Sequence, residues 1–361
     1  MMNNSYCTAP FRGFQFTHRD NRLCCSAGSS SKSTASEFWN GEYIKDVRSK
    51  MSNGQEVKDC WKCRDREKQQ RWSLRQSYDR FSIIPEKDLP TVMDLDFSNF
   101  CNLQCIMCGP DRSSKWAGKI SAVTQAQLDD LCSISGEVRH LTLQGGEPTM
   151  MPEFEYYFDY LNKNNILQNV EVECISNMTN INNRFYDLLA KCKSVTIVAS
   201  VDSFGTANDY IRHPSHFEKV EHNLIALSEK KNVDVGIIMS LQTLSMYNFD
   251  RFLEWLYYLK EQFKKNNRDI ECSINRVQMP QPLDIQNAPL KLKEKLLADM
   301  DKINPARHSI QFNTEIASIK DNLMKNHKED NSDALIKFVE DIDASRNIKI
   351  TNYIPDFHEY I

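Results

Sequence analysis

No stretch of the chain approaches eighteen consecutive apolar residues, and the start MMNNSYCTAP lacks the charged and apolar regions of a secretion signal. A soluble, cytoplasmic protein with no membrane partner is therefore expected. Lys and Arg are scattered among acids, and a formal charge of −4 leaves no basic footprint, so no nucleic-acid partner is expected. The eight histidines show neither an H-x3-H nor an HExxH spacing, and no Ser-His-Asp order stands out. No internal repeat occurs, and the only low-complexity run is a short Ser-rich loop, SAGSSSKSTAS.

Cysteine is what the chain has in quantity. Twelve cysteines without a secretion signal argue against a disulfide framework and for metal ligation in a reducing compartment. Five of them fall before residue 85, where FRGFQF, HRDN and RLCC read as a hairpin: Phe14 and Phe16 alternate with polar neighbours, and Asp20-Asn21 supplies the turn. A helix follows over SEFWNGEYIKDVRSKM, with Ile44, Val47 and Met51 at helical spacing and Asn53-Gly54 at its end. Then comes the pair Cys60-Trp61-Lys62-Cys63 in a charged segment.

From about residue 90 the pattern becomes strand, loop and helix in repetition, which argues for parallel strands with crossover helices. Six strands are predicted: 91–97, 138–143, 170–175, 195–201, 233–239 and 271–277. Helical patterns between them include Phe154, Phe158 and Leu161, then Phe185, Leu188 and Leu189, then Phe252, Trp255 and Leu256. After Pro280 and Pro282 the chain reads as charged and helical, with Leu335, Phe338, Val339 and Ile342 on one face. The expected architecture is α/β: a partial (β/α)6 TIM-like barrel over 86–285, a small N-terminal α+β cysteine-rich domain over 1–85, and a helical extension over 286–361. The length prior of about 2.4 domains agrees.

The chemistry concentrates in CNLQCIMC, which sets Cys101, Cys105 and Cys108 in a C-x3-C-x2-C array directly after the alternating strand TVMDLDF. Soft thiolates select zinc, copper or iron–sulfur, and a closed structural zinc site wants four ligands where this array has three. An iron of a four-iron cluster without a protein ligand is open to a substrate or cofactor. In barrels of this type chemistry gathers at the C-terminal ends of strands, where this loop begins. At the end of the second strand stands Gln144-Gly145-Gly146-Glu147-Pro148: paired glycines admit close backbone approach to a ligand, and the carboxylate can accept hydrogen bonds from an ammonium. The third strand ends Ile175-Ser176-Asn177-Met178-Thr179, the fourth ends Ala199-Ser200-Val201-Asp202-Ser203, and Arg212 follows in DYIRHP. Short oxygen-bearing side chains at those ends point into a barrel mouth, and an arginine fork suits a carboxylate.

Strand plus C-x3-C-x2-C resembles the radical S-adenosylmethionine (radical SAM) superfamily, over roughly residues 90–280. The resemblance implies that Cys101, Cys105 and Cys108 hold a [4Fe-4S] cluster whose unique iron chelates S-adenosylmethionine. It further implies reductive cleavage of the sulfonium, giving methionine and a 5′-deoxyadenosyl radical that abstracts hydrogen. Gly145, Gly146 and Glu147 match the motif that binds the cofactor's amino group; Ser176, Ser200 and Asp202 match ribose or substrate contacts; Arg212 matches an arginine used on the cofactor carboxylate. The position before the last cysteine, usually aromatic and against the adenine, is Met107, whose polarizable thioether can pack there. The glycine usual after Asn177 is absent.

Cys7, Cys24, Cys60 and Cys63, with Cys25 as rival of Cys24, resemble a Twitch or SPASM auxiliary domain that carries a second [4Fe-4S] cluster, although such a domain more often follows the barrel. Four thiolates with a C-x2-C equally satisfy a structural zinc ion. Cys132, Cys174, Cys192 and Cys272 read as buried small hydrophobes, with Cys174 or Cys272 a conceivable hydrogen-atom donor. The expected function is a radical SAM enzyme acting on a peptide or protein, reduced by a donor such as a flavodoxin or ferredoxin. The alternative is a non-catalytic iron–sulfur or zinc-binding interaction protein that retains the barrel.

Overall fold

A computed structural model describes residues 6–69, 71–84, 87–180, 183–230, 232–325 and 330–361, so the boundary expected at residues 85 and 86 lies outside the described residues. These residues hold eight strands in an open, mostly parallel sheet with helices between them, a mixed α/β fold. The chain divides into two compact units: residues 1–101, 117–175 and 182–196, and residues 102–116, 176–181 and 197–361.

In the first unit the strand order is β2 (Asn21–Arg22), β1 (Gly13–Thr17), β3 (Val92–Asp96), β4 (His140–Gln144) and β5 (Glu171–Ser176). The hairpin expected from Phe14, Phe16 and the Asp20-Asn21 turn is present, with Gln15 opposite Arg22 and Phe16 opposite Asn21. Its first strand does more than close a hairpin. β1 runs parallel to β3 with all five residues in register, Gly13 with Val92 through Thr17 with Asp96. The approach is so close that a Cβ on Gly13 would sit 1.4 Å from the Val92 carbonyl oxygen. The single helix expected over 36–51 is two, Ala35–Asn40 and Glu42–Ser52, because Gly41 between them is extended (φ −76°, ψ 165°).

All five residues of β3 are buried, yet they alternate in polarity. Leu95, Met93 and their neighbours Phe14, Phe16, Leu141 and Leu143 form one apolar face; Phe97 extends it, with ring centroids 5.9 Å from Phe16 and 4.4 Å from Phe154 of helix Pro152–Lys163. Asp94 and Asp96 form the other. Asp94 accepts from Gln15 Nε2 at 3.2 Å and from Gln144 Nε2, and Asp96 pairs with His18 Nδ1 at 3.2 Å. Carboxylates buried at these positions are tolerable because donors on the adjacent strands satisfy them.

β6 (Ser194–Ser200) passes from the first unit to the second, which contains β7 (Val233–Leu241) and β8 (Ile270–Arg276), paired in parallel over seven residues. All six predicted barrel strands are therefore present, displaced by one or two residues at their ends. The second unit is otherwise helical after Leu290, and Leu335, Val339 and Ile342 of helix Ser332–Arg346 are its buried face. No helix among the described residues is long and apolar enough to cross a membrane.

His140 opens β4 with 7% of its surface exposed, its ring 4.6 Å from that of Phe81 and neither nitrogen hydrogen-bonded. Burial, helped by the Arg80 charge, pushes its pKa down to about 4. The folded chain thus holds this ring neutral while the unfolded chain protonates it near 6.5, so its contribution to stability is present above pH 6.5 and is lost as pH falls toward 4. Thermal unfolding of wild type and His140→Phe across pH 4 to 7 should show a steeper acid loss in wild type, at most about 3 kcal/mol. Parallel pH profiles would contradict the assignment.

Candidate functional site

The chain leaves β3 through Phe97, Ser98, Asn99 and Phe100 to Cys101, and in the first unit this run lies against the turn after β4. Gly146 N donates to Ser98 O at 2.9 Å and Glu147 N donates to Phe100 O at 2.8 Å. A Cβ at Gly146 would lie 2.2 Å from the Phe100 oxygen; Gly145 has φ +124°, and a Cβ there would lie 2.6 Å from Asp96 Oδ1. The glycine pair was expected to make room for a ligand. It makes room for the backbone that carries Cys101. Glu147 is 1% exposed, and its Oε1 accepts from Thr149 N at 3.2 Å and Thr149 Oγ1 at 2.7 Å, capping the short turn Pro148–Met150.

Cys105 and Cys108 are neighbours in the second unit, with Cys108 N donating to Cys105 O at 3.1 Å. The adjacent Cys108 thiol, then burial, push the Cys105 thiol up, opposed by the positive charge of Arg212. Arg212 is 8% exposed; its Nη1 lies 4.0 Å from Cys105 Sγ and its Nε 2.7 Å from Asp202 Oδ2. Asp202 is fully buried, accepts from Ser240 N at 2.7 Å, and receives its own backbone order from Asn208 Oδ1, which accepts Asp202 N at 3.0 Å. Asp202, expected as a ribose or substrate contact, is here the buried counter-ion of Arg212. Ser200 and Met107 are half-buried, and Ser176 is buried with its Oγ accepting Met178 N at 3.1 Å.

Met178 occupies the place of the missing glycine in the left-handed region, φ 56°. A side chain there costs about 1–2 kcal/mol; its carbonyl is fixed by Asn223 Nδ2 at 2.7 Å. Asn177 and Thr179 on either side close a ring of hydrogen bonds with Asn102 of the cysteine loop: Asn102 Nδ2 donates to Thr179 Oγ1 at 2.8 Å, and Asn177 Nδ2 donates to Asn102 Oδ1 at 2.9 Å.

The sequence reading missed three further supports of this loop. Gln104 N donates to His213 O at 2.6 Å and Ile106 N to Ile211 O at 2.9 Å, a backbone ladder onto the chain around Arg212. Trp116 Nε1 donates to Cys105 O at 2.9 Å. Arg346, the last residue of helix Ser332–Arg346, donates to Gln104 O and, at 2.8 Å, to Tyr210 O, with its guanidinium 5.7 Å from the Trp116 ring. An arginine in a final helical turn reads in sequence as a partner of the helix dipole, and nothing in the pattern points 242 residues upstream.

In the first unit Cys7, Cys24, Cys60 and Cys63 line one pocket with Arg64 and Arg75, floored by Ala9 and Tyr78. Cys60 and Cys63 lie at the start of helix Trp61–Lys68, where a separation of three puts them on one face. Cys25 is exposed and does not line the cavity. Burial, with a smaller push from the neighbouring thiols, lifts Cys7 and Cys24 to about 12 and Cys60 to about 11, opposed at Cys7 by Arg75 and at Cys60 by Arg64 and Arg75. Among the described residues no three His, Cys, Asp or Glu side chains converge on one point as a single metal ion needs. Thiolates on an iron–sulfur cluster have a different task, each binding its own iron. Cys132, Cys174 and Cys272 are buried, and Cys192 half-buried. Burial lifts Cys132 and Cys192 to about 12 and raises the other two, as expected of inert core thiols.

Gly146→Ala should cost about 1–3 kcal/mol, because backbone on both sides must part. Gly109→Ala, one residue past Cys108 with nothing within 4 Å of its Cβ, should stay within about 0.5 kcal/mol of wild type. Denaturant midpoints of the two variants decide it, and a Gly146→Ala as stable as Gly109→Ala would contradict the packing argument.

No curated protein matches the chain. Among solved structures, anSMEcpe with bound AdoMet is 17% identical with a TM-score of 0.42, over 66% of this chain and 64% of that one. SuiB of Streptococcus suis, bound to precursor peptide SuiA, is 13% identical with a TM-score of 0.42, over 79% and 52%. The radical S-adenosylmethionine methyltransferase TsrM of Kitasatospora setae, with cobalamin and a [4Fe-4S] cluster, is 13% identical with a TM-score of 0.35, over 55% and 40%. The chain thus spans less than two thirds of the length of each. Residues 95–256 match the family described as the Radical SAM superfamily, a span that includes every candidate residue from Cys101 to Arg212 and none of the N-terminal cysteines, so the chain carries a radical SAM domain there.

Proposed function

We propose that the chain is a radical SAM enzyme in which Cys101, Cys105 and Cys108 hold a [4Fe-4S] cluster. The observation that carries the reading is the adjacent pair of thiols Cys105 and Cys108 beside a buried guanidinium, on a loop fixed by backbone hydrogen bonds to Ile211 and His213. A cluster with thiolate ligands is anionic, so a nearby cation and a water-poor pocket suit it. When bound, cluster and S-adenosylmethionine supply a 5′-deoxyadenosyl radical that removes hydrogen from an unactivated C–H bond.

This chain's own residues hold and orient. Gly145, Gly146 and Glu147 fix the path of the chain into Cys101, and we assign this turn to the cofactor's amino group. Ser176, Ser200 and the thioether of Met107 are the groups we assign to ribose, substrate and adenine. The cavity of Cys7, Cys24, Cys60 and Cys63 is our site for a second cluster, with Cys24 rather than Cys25 as ligand because Cys24 lines the cavity. Arg64 and Arg75 would offset the charge of its four thiolates. A Twitch- or SPASM-like role over 1–85, a barrel over 86–285 and a helical extension over 286–361 complete the assignment. A peptide or protein substrate and a flavodoxin or ferredoxin donor follow by analogy with family members that carry auxiliary clusters.

Anaerobically reconstituted, dithionite-reduced protein should form 5′-deoxyadenosine from S-adenosylmethionine over many hours, and Cys105→Ala should not. No product above the Cys105→Ala level would leave the non-catalytic reading. Iron analysis of the same preparation should give about eight irons per chain, falling to about four in Cys24→Ala but not in Cys25→Ala. About four irons with one zinc in wild type would overturn the second cluster while leaving the first.

A further inference from the structure

The residue matched to the cofactor's carboxylate is engaged elsewhere in this chain. Arg212 ends the turn after helix Thr206–Ile211, where its backbone N donates to Asn208 O at 2.8 Å, and its side chain runs back beneath the cysteine loop. Its Nε meets Asp202 Oδ2 at 2.7 Å and its Nη1 stands 4.0 Å from Cys105 Sγ. Asp202 is itself immobile: fully buried, with Oδ1 accepting Ser240 N at 2.7 Å at the end of β7. Two of the guanidinium's three nitrogens thus face fixed partners, and one of those partners is a sulfur.

We propose that Arg212 is a positioning residue for Cys105, held by Asp202 so that a fixed positive charge and an N–H donor sit on the thiolate sulfur and raise the reduction potential of the cluster that sulfur ligates. This rests on the reading that Cys101, Cys105 and Cys108 hold a cluster. Reduction adds one electron from an external low-potential donor and neither makes nor breaks a bond. It makes the cluster more negative, so a cation beside a ligand sulfur stabilises the reduced form more than the oxidised one. The cation is 8% exposed, so salt and water screen it little. Asp202 contributes by charge: pinned by Ser240, it holds the guanidinium beside Cys105, where a free arginine would turn toward solvent. Lysine keeps the charge but cannot bridge Asp202 and Cys105 with the same plane.

The test is a redox titration of the reconstituted full-length protein, following by electron paramagnetic resonance the reduced signal that responds to added S-adenosylmethionine. Arg212→Met should lower the potential by at least a tenfold change in the reduction equilibrium, about 59 mV for one electron. Arg212→Lys should lose less. Affinity for S-adenosylmethionine in the oxidised protein should change less than threefold in both. A wild-type potential in Arg212→Met, with or without a loss of cofactor affinity, overturns the proposal in favour of a cofactor or purely structural role. If Arg212→Met takes up no iron, unaltered protein grown on 15N-arginine decides: pulsed resonance of the reduced cluster should detect a 15N coupling that Arg212→Lys lacks, and its absence overturns the proposal. Failure of the cluster reading is distinguishable, because wild type itself would then show no reduced-cluster signal that responds to S-adenosylmethionine.

Discussion

Two backbones meet at Gly146 with no room for a methyl group between them, and much of the chain's chemistry depends on that contact. Through it the run from Ser98 to Phe100 is hydrogen-bonded to the turn after β4, so the chain enters Cys101 on one path. The same turn carries Glu147, whose carboxylate is engaged in holding the turn's shape. Strand, glycine turn and first cysteine are therefore one mechanical element.

Past Cys101 the cysteine loop is held by a different set of contacts, most of which take the backbone of the loop; Asn102 adds its side chain, and Arg212 reaches a sulfur. Ile211 and His213 accept its amides, Trp116 and Arg346 donate to its carbonyls, and Asn102 closes a ring with Asn177 and Thr179. A loop fixed through its main chain can present sulfur to a cluster without reorganising when the cluster binds. The buried charges nearby are handled in the same economical way. Asp202 is charge-paired with Arg212 and accepts from Ser240, and Asp94 accepts from Gln15 and Gln144, so neither is an isolated ion.

The regular elements were legible because their information is local. Val- and Ile-rich runs bounded by turn residues located all six barrel strands, and the alternation at Phe14 and Phe16 located the N-terminal hairpin. What was not legible depends on contacts between distant segments. That β1 would add to β3 is decided by Gly13 fitting under Val92, which no periodicity records. The cysteine spacing marked the candidate site and the glycine pair beside it, but not that the missing Cβ of Gly146 also makes room for the backbone entering Cys101. Asp202 and Arg212 were both singled out, yet as two independent contacts instead of one ion pair. Arg346 had no signal at all, since its partners are reached only through the fold. Cys24 and Cys25 are chemically identical in sequence, and only the cavity wall separates them.

The central claim is that S-adenosylmethionine binds an iron left without a protein ligand by Cys101, Cys105 and Cys108. Electron–nuclear double resonance on the reduced protein, with the cofactor labelled by 17O at its carboxylate and 15N at its amine, tests this directly. The account predicts hyperfine coupling from both labels to a cluster signal that disappears in Cys108→Ala. A reduced cluster with no coupling to either label would contradict it.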